Sequence, residues 1–269
     1  MRISLRALLV ALVAVPAAAQ TYGSDDQTLA FFDTMCCQAG DTPIDQHTPQ
    51  IGLRWTVEGT TDDALKPKIT SSRVNFEPGS NAVAVAQGPT GERTLRAVVR
   101  EPNSHAADVT LYLIDRYTDA QTFTALRLRW PAAGSTLDLD AVAVTGGTLS
   151  TQVPLPSLPT AGHSRNVPVE IRSVPTPPSS GGEGGHVWTV HVDRVDMPAT
   201  TVPGFVGVGA FALAAEAPTH PNPDGYHASV EDLAVLVPST PVDAICPGLR
   251  GWNAESCIRA AYAPAQTFH

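Results

Sequence analysis

The chain has 269 residues, with 26 acidic against 17 basic side chains and a formal net charge of −9. That balance, with no basic run after the first residues, disfavours a duplex nucleic acid or an anionic membrane surface as partner. Its 24 prolines and 21 glycines call for many turns, which argues against long helices and for short strands.

Residues 1–19 have the pattern of a secretory signal. Arg2 and Arg6 make a positive start, Leu8 to Val15 an apolar core too short to span a bilayer, and Ala17-Ala18-Ala19 a small-residue cleavage site. The mature chain is expected to begin at Gln20, with an uncleaved anchor as the alternative. Losing Arg2 and Arg6 leaves 15 basic residues against 26 acidic ones, a net charge of −11. No later stretch is apolar enough for a membrane span, so membrane insertion is not expected.

The remaining residues predict one domain over 28–238 and a short tail over 239–269. Leu29-Ala30-Phe31-Phe32 opens the first strand. Trp55 to Val57, Ile69 to Val74, Ala82 to Ala86 and Thr94 to Arg100 follow. Leu95, Ala97 and Val99 share one face of the last, and Arg96, Val98 and Arg100 the other. Val109 to Asp115 comes next. Phe123 to Trp130 alternates cleanly, with Leu126, Leu128 and Trp130 inward. Leu137 to Val144 pairs back with Asp138 and Asp140 outward, and Val167 to Val174 is a further strand. Pro175 to Gly185 is a low-complexity excursion within the domain.

His186 to Val237 is the most ordered pattern. Trp188, Val190 and Val192 alternate with Thr189, His191 and Asp193, the signature of a half-buried strand. Phe205 to Phe211 repeats the alternation. Ala228, Val230 and Leu233 to Val237 are apolar enough to be buried on both faces. About eleven to thirteen short strands at even spacing, with no convincing helix before the tail, specify an all-β sandwich or barrel.

Two stretches carry a family resemblance. Phe32, Gly40, Thr42, His47, Thr48, Pro49, Gly52 and Trp55 resemble the opener of bacterial and phage-virion concanavalin A-like domains. Val230-Glu231-Asp232-Leu233-Ala234-Val235 resembles the last strand of such laminin-G-like domains. Asp41 between Gly40 and Thr42, and the insert Met35-Cys36-Cys37, depart from the opener. The resemblance implies a two-sheet antiparallel jelly-roll sandwich; neither motif is catalytic.

Candidate chemistry is sparse. No Glu-x-Asp-x-x-Glu string of the concanavalin-like glucanases occurs, and Glu231-Asp232 in a regular strand would point to opposite faces. No Gly-x-Ser-x-Gly elbow, His-Glu-x-x-His string or EF-hand loop is present. His186 and His191 are expected at the surface, and Trp55, Trp130 and Trp188 in the core. Asp115, Asp119, Asp193 and Asp224 are placed for rim loops, either as solvated acids or as ligands of calcium, the expected cofactor if one is bound. In the proline-stiffened loop 218–227, Tyr226 offers a sugar platform beside His220, Asn222 and Asp224; the alternative is a plain rigid turn.

The cysteines are Cys36, Cys37, Cys246 and Cys257. In an exported chain they are expected as disulfides. Cys246–Cys257 closes a local loop, and cross-pairing with Cys36 or Cys37 is the alternative. Cys36-Cys37 lacks the gap of a zinc knuckle.

These readings converge on a secreted or surface-exposed binding domain for a glycan or another extracellular ligand. The alternatives are a glycan-active hydrolase with unrecognised carboxylates and a structural or adhesive surface protein. Mass spectrometry of exported material is expected to show a chain starting near Gln20; a retained Met1 would refute the signal assignment.

Overall fold

The computed structural model describes residues 27–36, 40–77, 80–102, 107–132, 134–160, 166–176, 184–203, 209–216 and 228–238. The strands in order are β1 (Gln27–Asp33), β2 (Thr42–Pro43), β3 (Thr56–Glu58), β4 (Lys68–Ile69), β5 (Val74–Asn75) and β6 (Val83–Ala86). Then come β7 (Arg93–Arg100), β8 (Val109–Asp119), β9 (Thr122–Trp130), β10 (Thr136–Thr145), β11 (Thr148–Pro159) and β12 (Asn166–Thr176). The last are β13 (Gly185–Val192), β14 (Val195–Asp196), β15 (Thr200–Pro203), β16 (Phe211–Glu216) and β17 (Ser229–Pro238). Among the described residues the single helical turn is Ile44–Gln46.

All strand pairings are antiparallel and make two sheets. The larger runs β14-β13-β12-β7-β17-β5-β4-β2, with β1 also on β17 and β15 also on β13. The smaller runs β11-β10-β9-β8-β16-β6-β3. The expected all-β antiparallel sandwich is what the chain adopts. Period-two patterning supplies the core: Leu95, Ala97 and Val99 of β7, Val169 and Ile171 of β12, and Trp188, Val190 and Val192 of β13 face Leu111, Leu113, Leu126, Leu128 and Trp130 of the smaller sheet. The three strand tryptophans expected in the core are there, each at most 1% exposed.

One polar group fastens the opening segment to this core. Asp33 ends β1 fully buried. Its Oδ1 accepts the Met35 backbone N–H at 2.8 Å and lies 2.8 Å from His47 Nε2. Its Oδ2 accepts the Trp55 Nε1–H at 2.7 Å. Trp55 leads into β3 of the other sheet, so one carboxylate ties both sheets and the loop between them. The bond to Met35 also supports a left-handed backbone there, at φ 52°. Phe31, Trp55 and Phe211 close around it edge to face, with centroids 4.9 to 6.0 Å apart. Gly52 (φ +108°) is required beside them, because a Cβ there would sit 2.4 Å from Phe31 Cδ2.

Several boundaries differ from expectation. Ile69 to Val74 is not one strand; Ser71 and Ser72, with φ 53° and 62°, turn the chain between β4 and β5. The strand expected over Phe205 to Phe211 begins only at Phe211 and runs to Glu216; residues 204–208 lie outside the described ones. β11 was not among the expected strands, and its Pro154, Pro156 and Pro159 would be out of place in a central strand. It is an edge strand, paired only with β10, where missing N–H groups can be tolerated and discourage further pairing. Cys36 is disulfide-bonded to a partner outside the described residues. The expected Cys246–Cys257 bridge also lies outside them.

A second polar cluster corrects two expectations. Asp115 is not a rim acid: it is fully buried in β8 between Arg93, at 2.9 Å, and Arg116, at 3.4 Å. Burial opposes its charge, but the two guanidiniums outweigh burial and hold the carboxyl below its usual range. Arg93 and Arg116 bond in turn to the carbonyls of Pro89, and Arg116 to those of Thr90 and Gly91. His186 is not at the surface: it is 1% exposed, shares the inward phase of Trp188, and its Nδ1 lies 3.2 Å from Ser173 Oγ.

Two predictions follow from these clusters. Asp33→Ala leaves three buried donors without their carboxylate and is expected to cost about 3 kcal/mol in urea unfolding. Trp55→Phe, which keeps the packing but loses one bond to a charged acceptor, is expected to cost about 1–2 kcal/mol. Equal losses would mean that the bonds to Met35 and His47 contribute nothing beyond the bond to Trp55. For His186, burial, then the neighbouring Arg116 and Arg93, lower the imidazole to about 4 against the ordinary 6.5, with Asp115 opposing. The folded state therefore binds its proton less readily than the unfolded one. Its contribution is complete above about pH 6.5 and is lost as the pH falls toward 4, by at most about 3 kcal/mol. Urea titrations across that window are expected to show this loss and its absence in His186→Gln.

Candidate functional site

The outward face of the larger sheet carries a groove of about 450 Å³. Its walls come from strands distant in sequence and adjacent in the sheet. Register places Glu170 of β12 opposite Arg96 of β7 and His191 of β13. Ala234 of β17 stands opposite Arg96 on its other side and opposite Phe32 of β1. One row thus crosses the sheet as His191, Glu170, Arg96, Ala234 and Phe32. The next row holds Pro168, Val98 and Asp232. Each is an outward position of a strand whose inward positions belong to the core, so the alternation that builds the sandwich also exposes this set.

Three of the groove's charged side chains are paired. Arg96 Nε lies 2.6 Å from Glu170 Oε2, and His191 Nδ1 lies 2.5 Å from Asp196 Oδ1. Asp232 differs. Among the described residues it has no hydrogen-bond or ion-pair partner, and burial, followed by the negative charges of Glu231 and Asp33, raises its carboxyl above the ordinary range.

Asp232 reaches the groove because β17 is bulged. The register slips between Val230 and Asp232. Val230 and Leu233 are both fully buried, while the two residues between them are half-exposed. Glu231 and Asp232 therefore do not split between the two faces, as a regular strand would require; the extra residue turns both outward. Glu231 is held outside the groove by Arg73 at 3.2 Å, Arg100 at 3.6 Å and Asn166 at 3.0 Å.

The rim at the far end is the turn between β13 and β14. Asp193 and Arg194 both have left-handed backbone, with φ 46° and 70°. Neither is glycine, so the turn holds conformational strain beside the groove. The Asp193 N–H donates to the Pro168 carbonyl at 2.9 Å and pins the rim to β12.

The structure does not assemble the acids expected to hold calcium. Asp115 is sealed in the core, while Asp119 is exposed at the β8–β9 hairpin of the smaller sheet, accepting the Gln121 N–H at 2.7 Å. Asp193 is at the groove rim of the larger sheet, and Asp224 lies outside the described residues. No group of three His, Cys, Asp or Glu arranged for a metal exists among the described residues. His220, Asn222 and Tyr226 also lie outside them. The groove residues Arg96, Glu170 and Asp232 were not foreseen as a site. The sequence signal was only that they occupy outward strand positions, and cross-strand register is needed to bring them together.

No protein-family model matches the chain, and no curated protein matches it. Solved structures do resemble it in shape. One is the CBM2 module of the evolved Dit of Lactobacillus casei BL23 phage J-1, at 10% identity and a TM-score of 0.48, covering 80% of this chain and 98% of that one. A second is the catalytic domain of an endo-1,3-beta-glucanase (laminarinase) from Thermotoga petrophila RKU-1, at 9% identity and 0.49, covering 80% and 99%. A third is a legume lectin-like domain from Entamoeba histolytica, at 8% identity and 0.44, covering 67% and 88%.

Proposed function

We propose that this chain is an exported, non-catalytic carbohydrate-binding domain, and that its ligand lies across the groove of the larger sheet. The observation that supports this reading is the groove's lining: Phe32 at one end, the apolar edges of Val98, Pro168 and Ala234, and the planar polar groups of Arg96, Glu170, His191 and Asp232. A saccharide presents the matching alternation, C–H faces that stack on an aromatic ring and hydroxyl edges that bond to carboxylates and guanidiniums. The volume, about 450 Å³, falls in the range of small-ligand sites. Ion pairs hold Arg96, Glu170 and His191 in place, so ordering those three on binding costs little entropy.

Binding fits the carboxylates better than hydrolysis does. Glu170 and Asp232 stand two strands and two residues apart, about 12 Å between Cα atoms on the sheet lattice. Glu231, beside Asp232, is occupied by two arginines and an asparagine. Neither arrangement is the close pair of a retaining glycosidase.

A glycan array, run with and without calcium, is expected to yield hits. Phe32→Ala is expected to weaken them by about 1–3 kcal/mol, the scale of an interface hot spot, with the melting temperature nearly unchanged. Tyr226→Ala in the same assay tests whether the 218–227 loop adds a second aromatic contact. Unchanged affinity in Phe32→Ala would place the ligand elsewhere, and turnover of a bound glycan would replace the binding reading with the hydrolase.

A further inference from the structure

Resting on the groove reading, we propose that Asp232 receives a primary ammonium group, so that the preferred ligand is an amino sugar with its amine free rather than acetylated.

The charged groups lining the groove are Arg96, Glu170, His191, Asp193, Arg194 and Asp232. Glu170 faces Arg96 at 2.6 Å and His191 faces Asp196 at 2.5 Å, so these four satisfy one another. Glu231 has three partners of its own. Asp232 has none among the described residues, yet its carboxyl is partly withdrawn from water and stands near two further carboxylates, Glu231 and Asp33. Among the described residues no cation pairs with it; Arg194 lines the same groove from the β13–β14 turn but makes no ion pair with Asp232. Arg96, on the neighbouring strand, is turned to Glu170. Arg73 and Arg100 are turned to Glu231.

An unpaired carboxylate in a partly dry site with a negative surround is costly to keep charged. An incoming cation removes both causes at once, by pairing with the carboxylate and by offsetting the two neighbouring charges. Its size and coordination choose the cation. A divalent metal takes six or more oxygens or an equivalent set, whereas the adjoining wall is Val98, Pro168, Leu233 and Ala234. An ammonium needs one carboxylate and tolerates an apolar wall against its carbon skeleton. The bulge at Glu231 exists at the expense of a regular ladder, and its effect is to turn this carboxylate into the groove.

The probes are the glucosamine tetrasaccharide with free amines and its fully N-acetylated counterpart. Calorimetry on the full chain is run at a pH where the amines are charged and Asp232 is ionised. The free-amine form is expected to bind at least about ten-fold more tightly, as a charge-assisted bond permits. Asp232→Asn is expected to abolish that preference, weakening the free-amine form far more than the acetylated one, with the melting temperature unchanged. Equal binding of the two forms, or a preference that survives in Asp232→Asn, would overturn the ammonium site and leave the groove reading intact. Binding of neither, together with array hits insensitive to Phe32→Ala, would overturn both.

Discussion

The structure depends most on the buried carboxylate of Asp33. The opening segment from Thr34 to Trp55 contributes little regular structure, with one two-residue strand and one helical turn among its described residues. It has few ladder bonds to hold it. Asp33 supplies the missing constraint by accepting from Met35, His47 and Trp55, three groups spread along the segment. A carboxylate accepting several N–H bonds in a dry interior is strongly stabilised in place, and each bond is stronger than in water. Its neighbours then have no choice of direction. Phe31 turns inward to Trp55 and Phe211, and Phe32 turns outward to the groove. The same charge reaches Asp232 from the adjacent strand. The clamp that closes the fold therefore also shapes the electrostatics of the candidate site.

The two outward faces have contrasting chemistry. On the smaller sheet, a row of Val142, Ala125, Ile114, Ala212 and Val85 crosses the face in register. Tyr112, Tyr117 and Phe123 pack on that strip, and four of its five residues are fully buried. The flanking charges are matched: Arg127 with Asp140 at 2.7 Å and Arg129 with Asp138 at 2.9 Å. The Tyr117 hydroxyl donates to Glu58 at 2.6 Å. Most of the charge on this face is paired within it. On the larger sheet, small or apolar residues leave a depression and Asp232 remains unmatched. A surface whose charges are matched gains little from a ligand, whereas an unmatched group in a concavity does gain.

The sequence by itself determined the class of fold and the assignment of most faces. Alternation in β7, β9, β12 and β13 is a local property, because successive strand residues point to opposite sides whatever lies beyond. That is why the core places of Trp55, Trp130 and Trp188 were legible before any strand was paired. Tertiary structure decided what depends on neighbours. Asp115 reads as a loop acid until Arg93 and Arg116 surround it. His186 reads as a surface histidine until its phase is counted from Trp188 in the same strand. The prolines of β11 argue against a strand until the strand proves to be an edge. The groove is the clearest case. Arg96, Glu170 and Phe32 lie far apart in the chain and meet only through register, and Asp232 joins them only through a one-residue slip that no periodicity records. Register and bulges are set by packing between strands, so the residues of a sheet-face site become a set only when the sheet is assembled.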